Sequence, residues 1–234
     1  MTTAGSDRRA VIRDSLGVGV ATGLYGTSFG AVSVAAGLSV AQTCALSLVM
    51  FTGASQFALV GVLAAGGTPL ASALTALLLG SRNTLYGLRI GPLLDFRGGR
   101  RVAAAQLLID ESTAMSLNRP DRTLARVGFV ATGLSILVLW NLFTFLGAVA
   151  GEALGDPKTY GLDAAVGAAF LALLWPRLSD PVNRGVALAA AALALVLVPF
   201  TPAGLPVLAA GGVALLVGLL SKHEDPTEFP EAGG

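Results

Sequence analysis

The chain has 234 residues, of which 54% are hydrophobic and 12% charged, with a net charge of +1 and a mean hydropathy of +0.74. Soluble domains carry about 25% charged residues, so this composition excludes an ordinary water-soluble domain, and the near-neutral charge without a basic face excludes nucleic acid as a partner. One cysteine, Cys44, and one histidine, His223, exclude an internal disulfide and a Cys/His metal centre.

In chain order, residues 1–14 are polar, carry Arg8, Arg9 and Arg13, and read as a cytoplasmic segment. They resemble the start of a signal peptide, but no small-residue cleavage site follows, so a retained first membrane helix is expected. Residues 15–37 form that helix. Gly19, Gly23, Gly26 and Gly30 space two small-xxx-small pairs along it, which suits close helix packing. The alternative is an unwound point at Tyr25-Gly26-Thr27-Ser28 whose carbonyls face a solute. Residues 39–67 are longer than one crossing needs and are interrupted by Thr52-Gly53-Ala54-Ser55-Gln56. Residues 68–94 start with Pro69, which suits a first helical turn, and read as two half-helices meeting at Gly80-Ser81-Arg82-Asn83.

Residues 95–101 (DFRGGRR) and 119–126 are basic, and both are expected on the cytoplasmic side. The short stretch between them, 102–117, therefore should not cross once; a partial, broken or re-entrant path is predicted. Residues 127–150 form a strong helix and 151–161 a polar loop. Residues 162–175 form a short segment closed by Pro176, 177–184 are basic, and 185–198 with 205–220 make a final hairpin. The charged tail 221–234 reads as disordered. The fold expected is an all-α polytopic membrane bundle with broken or re-entrant helices, one transport domain over 15–220. Its halves, 15–94 and 126–220, flank a charged middle, 95–125, and are compatible with an inverted repeat.

Charge inside apolar sequence is costly in lipid and marks a pathway or a partner. Arg82 falls at a helix break, where its guanidinium suits a bidentate carboxylate. Its alternative role is an internal ion pair with Asp110 or Glu111. Arg89, near Pro92, reads as snorkelling to the interface. Asp110 and Glu111 are adjacent and point about 100° apart on a helix, so only one should face a given cavity. Either they carry a proton or they form a solvated surface pair. Asp163 reads as a helix cap, and Trp140, Trp175 and Tyr160 as interfacial or packing aromatics. No nucleophile–base set, Walker loop, GxSxG or HExxH is present, so neither catalysis nor a cofactor or metal is expected.

Three blocks carry a family resemblance: FTGASQFALVGVLAAGG, TPLASALTALLLGSRNTLYGL and LLIDESTAM. They resemble the AzlC family, the large subunits of branched-chain amino acid exporters. The family's aromatic-x-GASQF run is matched by residues 51–57. Its Arg-His-x-LYG element is matched by Arg82-Asn83-Thr84-Leu85-Tyr86-Gly87, and its Thr-Asp-Glu element by Ile109-Asp110-Glu111. Asn83 stands where the family has His, Gly80 where Asp or Asn is common, and Ile109 where Thr is usual. Losing the histidine removes a side chain that titrates near neutral pH.

The resemblance implies a multi-pass protein of the bacterial inner membrane that exports valine, leucine, isoleucine or other small neutral amino acids. It also implies a small AzlD-type membrane subunit as partner. The residues then expected to meet the solute are Arg82, Asn83, Gly53, Ser55, Gln56 and Tyr25, with Asp110 and Glu111 as the proton-coupling or ion-pairing acids. Two other functions fit the same residues: channel-like passage of another small solute such as an organic acid, and a non-transporting assembly subunit.

Overall fold

The computed structural model describes residues 3–154, 171, 174–202 and 204–220, and is helical with no strand among them. Two 33-residue helices, α1 (Thr3–Ala35) and α8 (Arg122–Leu154), form its axis. Both are long and apolar enough to cross a membrane, and at 1.5 Å per residue each exceeds a ~30 Å hydrocarbon core. They run parallel. Ser15 Oγ accepts from Thr132 Oγ1 at 2.9 Å near their starts, and Gly151 sits on Ala31 near their ends.

Glycine makes this contact possible. A Cβ on Gly26 would lie 2.6 Å from the Trp140 carbonyl oxygen, and Cβ atoms on Gly30 and Gly147 would meet backbone of the opposite helix. The glycines of the first segment therefore serve packing. α1 is unbroken through Tyr25-Gly26-Thr27-Ser28, which overturns the alternative of an unwound point there.

The opposite faces of the pair are apolar and exposed: Ile12, Leu16, Val20 and Leu24 on α1, and Leu134, Val138 and Leu142 on α8. A core helix of a soluble protein would bury such a stripe; one facing lipid keeps it outward.

Between α1 and α8 every helix is interrupted. α2 (Val40–Val49) starts from a Ser39–Gln42 capping box and runs back alongside α8, reaching it where Ser47 Oγ lies 3.5 Å from Thr144 Oγ1. The chain then turns at 50–53, and Gly53 (φ +57) takes a conformation that a side chain rarely tolerates. α3 (Ala54–Ala64) retraces the path outward. Its Phe57 packs on Phe29, and Val60 joins the same buried cluster as Val32. α2 and α3 are thus a re-entrant hairpin, and the interruption falls at 50–53, ahead of Ser55 and Gln56.

α4 (Pro69–Gly80) is capped by Thr68, which accepts from Ala71 N–H at 3.2 Å. It runs antiparallel to α3, with Gly80 beside Ser55. After a single linking residue, Ser81, α5 (Arg82–Leu94) continues to the basic end of α8. There Arg126 Nε donates to Leu94 O at 2.6 Å, and Arg122 pairs with Asp95 at 3.6 Å.

α6 (Gly99–Gln106) climbs from that end and α7 (Asp110–Leu117) descends to it, where Arg119 reaches Asp14 at 3.7 Å. This second hairpin explains the sequence puzzle: both basic stretches lie at one end because the segment between them goes halfway and returns. The second stretch is a loop only to Asp121, since Arg122 and Arg126 already belong to α8.

The tips of the two hairpins touch. Gln106 Nε2 donates to Leu48 O at 2.7 Å. Beyond the axis pair, a 3-10 turn (Trp175–Ser179) leads into α9 (Pro181–Leu197) and α10 (Leu205–Leu220), and α10 leans on α4 through Gly204 and Gly211. The predicted hairpin is therefore present. The segment at 162–173, Tyr160, Asp163 and the tail 221–234 lie outside the described residues, Leu171 apart.

Candidate functional site

Where the two hairpin tips and the α4–α5 break converge, a cavity of about 520 Å³ opens between them and the α1–α8 axis. Its size falls within the ~300–1,000 Å³ of small-molecule sites. One wall carries charge: Arg82 Nη2 lies 3.2 Å from Asp110 Oδ2, and Glu111 lines the same space. One cation thus faces two carboxylates. The remaining walls are aromatic and aliphatic, with Phe51, Phe57, Trp140, Ile136, Ile109 and Leu79.

Local sequence explains how each charge gets there. Arg82 is the first residue of α5, placed at the break because Ser81 alone links it to α4. Asp110 and Glu111 occupy the first turn of α7, where the helix dipole favours acids. That turn is held by Ser112 Oγ, which accepts from Ile109 N–H at 3.1 Å and lies 2.6 Å from the Leu107 carbonyl. Ile109 stands at the capping position but offers no oxygen, so it contributes an apolar wall and Ser112 does the capping. Three helix starts, those of α3, α5 and α7, lie at the cavity.

Four cavity-lining side chains hold a buried polar atom with no hydrogen-bond partner among the described residues: Tyr25 Oη, Thr52 Oγ1, Arg82 Nε and Trp140 Nε1. Each can donate, and two, the arginine and the indole, can only donate. Buried polar atoms without partners are rare in folded proteins, and each calls for an explanation. Three such donors beside the Arg82 guanidinium suit an acceptor-rich group such as a carboxylate.

Of the residues predicted from sequence, Arg82, Gly53, Tyr25, Asp110 and Glu111 line this cavity. Asp110 and Glu111 do so together, against the expectation that only one would, because the first turn of α7 points end-on at the space.

Ser55, Gln56 and Asn83 are elsewhere. Gln56 is fully buried; its Oε1 accepts from Gly53 N–H at 3.1 Å and its Nε2 reaches the Leu46 and Ser47 carbonyls at 3.4 Å, so it ties the α2–α3 turn. Ser55 faces Gly80 across the α3–α4 contact. Asn83 donates to Leu108 O at 3.1 Å and lines a second cavity. Arg89 is exposed on the far side of α5.

Sequence reasoning missed Trp140, taken as a packing or interfacial aromatic, and Thr22, Thr52, Phe57 and Ile136 as wall residues. Only Thr52 carried a signal, as part of the polar interruption. Trp140 sits a little past the middle of a uniformly apolar helix segment, and nothing local separates its inward face from its outward one.

The architecture defines a helical membrane protein with two half-length hairpins meeting at a charged central cavity, an arrangement suited to moving a small polar solute. The sequence model described as AzlC protein matches residues 17–154, the stretch from α1 to the end of α8, and the chain belongs to that family, which is associated with membrane transport. Searches of curated proteins and of solved structures return no match.

Proposed function

We propose that the protein is the large subunit of a secondary exporter that carries branched-chain or other small neutral amino acids across the bacterial inner membrane, working with a small membrane subunit. The observation that carries this reading is the division of the cavity into a charged wall and an apolar one. A zwitterion with an apolar side chain matches both: its carboxylate meets Arg82 and the free donors of Tyr25, Thr52 and Trp140, its ammonium meets Glu111 or Asp110, and its side chain meets the Phe57, Ile109 and Ile136 wall. In a low-dielectric space these contacts replace the hydration that the solute loses.

Arg82 and Asp110 already hold each other, so a solute carboxylate competes with Asp110 for the guanidinium. That competition gives the acid a role in the cycle: a bound solute carboxylate displaces it from Arg82. The family histidine is replaced by Asn83, so coupling here would run through the acids.

The test is retention of labelled valine and leucine in cells loaded with dipeptide, with and without the protein and its partner. Faster loss of branched-chain amino acids than of serine or alanine is expected. Equal loss of all, unaffected by collapsing the proton gradient, would instead support channel-like passage.

A further inference from the structure

A second cavity, of about 670 Å³, lies between α5 and α6 toward the basic end of the bundle. Asn83, Gly87, Ile90 and Leu108 line its inner part, Arg97 and Arg101 its mouth. The wall that separates it from the central cavity has an unusual composition. Arg82 and Ile109 face the central cavity, while their chain neighbours Asn83 and Leu108 face the second one. The wall is therefore one residue thick on each strand of chain, built from two dipeptides whose side chains point to opposite sides.

What joins those dipeptides is small. Asn83 Nδ2 donates to Leu108 O at 3.1 Å on one side, and Arg82 pairs with Asp110 on the other. The other half of the amide, Asn83 Oδ1, is buried and has no hydrogen-bond partner among the described residues. Gly87, one turn further along α5, leaves room for Leu108: a Cβ there would stand 3.2 Å from Leu108 Cδ2. Both sides of the joint belong to helix ends, α5 and the α6–α7 tip, where few backbone bonds resist a small displacement.

We propose that the two cavities are consecutive chambers of one path for the same small zwitterionic solute, and that Asn83 holds shut the partition between them. This deepens the export reading and rests on it for the identity of the solute. The second chamber is then the vestibule on the basic side. Its arginines favour the carboxylate end of the solute, and the unpartnered Asn83 oxygen accepts from the ammonium end as the partition opens.

The experiment reads access and needs no solute. In a Cys44→Ala background, Thr22→Cys places one thiol in the central cavity, and a charged, membrane-impermeant thiol reagent is applied to vesicles of each orientation. Adding Asn83→Ala should speed modification from the basic side by about tenfold, the factor associated with losing one buried hydrogen bond. Asn83→Asp, which keeps the volume but turns the donor into an acceptor facing the Leu108 carbonyl, should do the same. Ala105→Cys, in the second cavity, should react equally fast with and without either change, which also reports that the variants fold. Unchanged Thr22→Cys rates in both variants, with normal Ala105→Cys labelling, overturn the proposal. Accelerated labelling in a protein that exports no amino acid supports the partition and rejects only the export reading.

Discussion

The α1–α8 pair and the interrupted helices between them solve the membrane problem in opposite ways. α1 and α8 are continuous for 33 residues each, so their backbone groups are satisfied within the helices. Their contact is a run of small residues with buried hydroxyls paired across it, as in Ser15 with Thr132. α2 to α7 are short and end inside the bundle, and the cavity they enclose holds polar atoms without partners. The axis is mostly close packing, with Tyr25 on α1 and Trp140 on α8 bringing unpartnered donors to the cavity; the interrupted region supplies Thr52 and the charges Arg82, Asp110 and Glu111. The rigid pair is what lets the interrupted region exist, because helix ends buried in lipid would otherwise have nothing to lean on.

The sharpest way to break this comparison is to spoil the rigid half. Gly147→Leu should push α8 off α1 at Thr27, where even a Cβ meets backbone. Overpacking of this kind costs about 3 kcal/mol, and for a chain of this size the midpoint of thermal unfolding in detergent should fall by roughly 10 °C. A variant that melts like the parent would mean that the helices do not approach as closely as described.

The next effect belongs to the interrupted half. Arg82→Ala removes the only cation of the cavity lining among the described residues and should slow the proposed amino-acid export on the order of a hundredfold. It also leaves Asp110 and Glu111 facing each other, so the charge-balanced Arg82→Gln/Asp110→Asn protein separates the two consequences. It should purify and melt normally yet still fail to export. Recovery of export in that double variant would assign Arg82 to structure alone.

Trp140→Phe is the mildest and the most diagnostic, since Trp140 belongs to both regions. It keeps a ring against Phe29 and Phe57 but deletes the unpartnered Nε1–H. About a fivefold rise in the solute concentration that half-saturates export is expected, the effect of one hydrogen bond. Little change in thermal stability should accompany it. A large loss of stability with unchanged half-saturation would place Trp140 wholly with the packing of the axis.

Much of this was legible beforehand. The apolar runs, the breaks near 52 and 80–83, and the half-length path of 102–117 follow from charge and glycine placement, because lipid penalises unsatisfied backbone and charge wherever they fall. The intramembrane arginine and the Asp110–Glu111 pair stood out for the same reason. Gln56 and Ser55 also looked like site residues, since a buried amide needs partners, but the sequence could not say that the partners were the chain's own carbonyls. The membrane penalty names the polar residues that must be satisfied and is silent on what satisfies them.

Composition and spacing alone determined that the chain is a membrane bundle, where its helices are interrupted and which charges lie within it. Only the tertiary structure decided that two hairpins run in from opposite ends, that their tips meet the α4–α5 break at one cavity, and that Trp140 turns inward while Asn83 turns to the other chamber. Those outcomes depend on which faces of distant segments come together, and a contact across a hundred residues leaves no periodic trace in either partner.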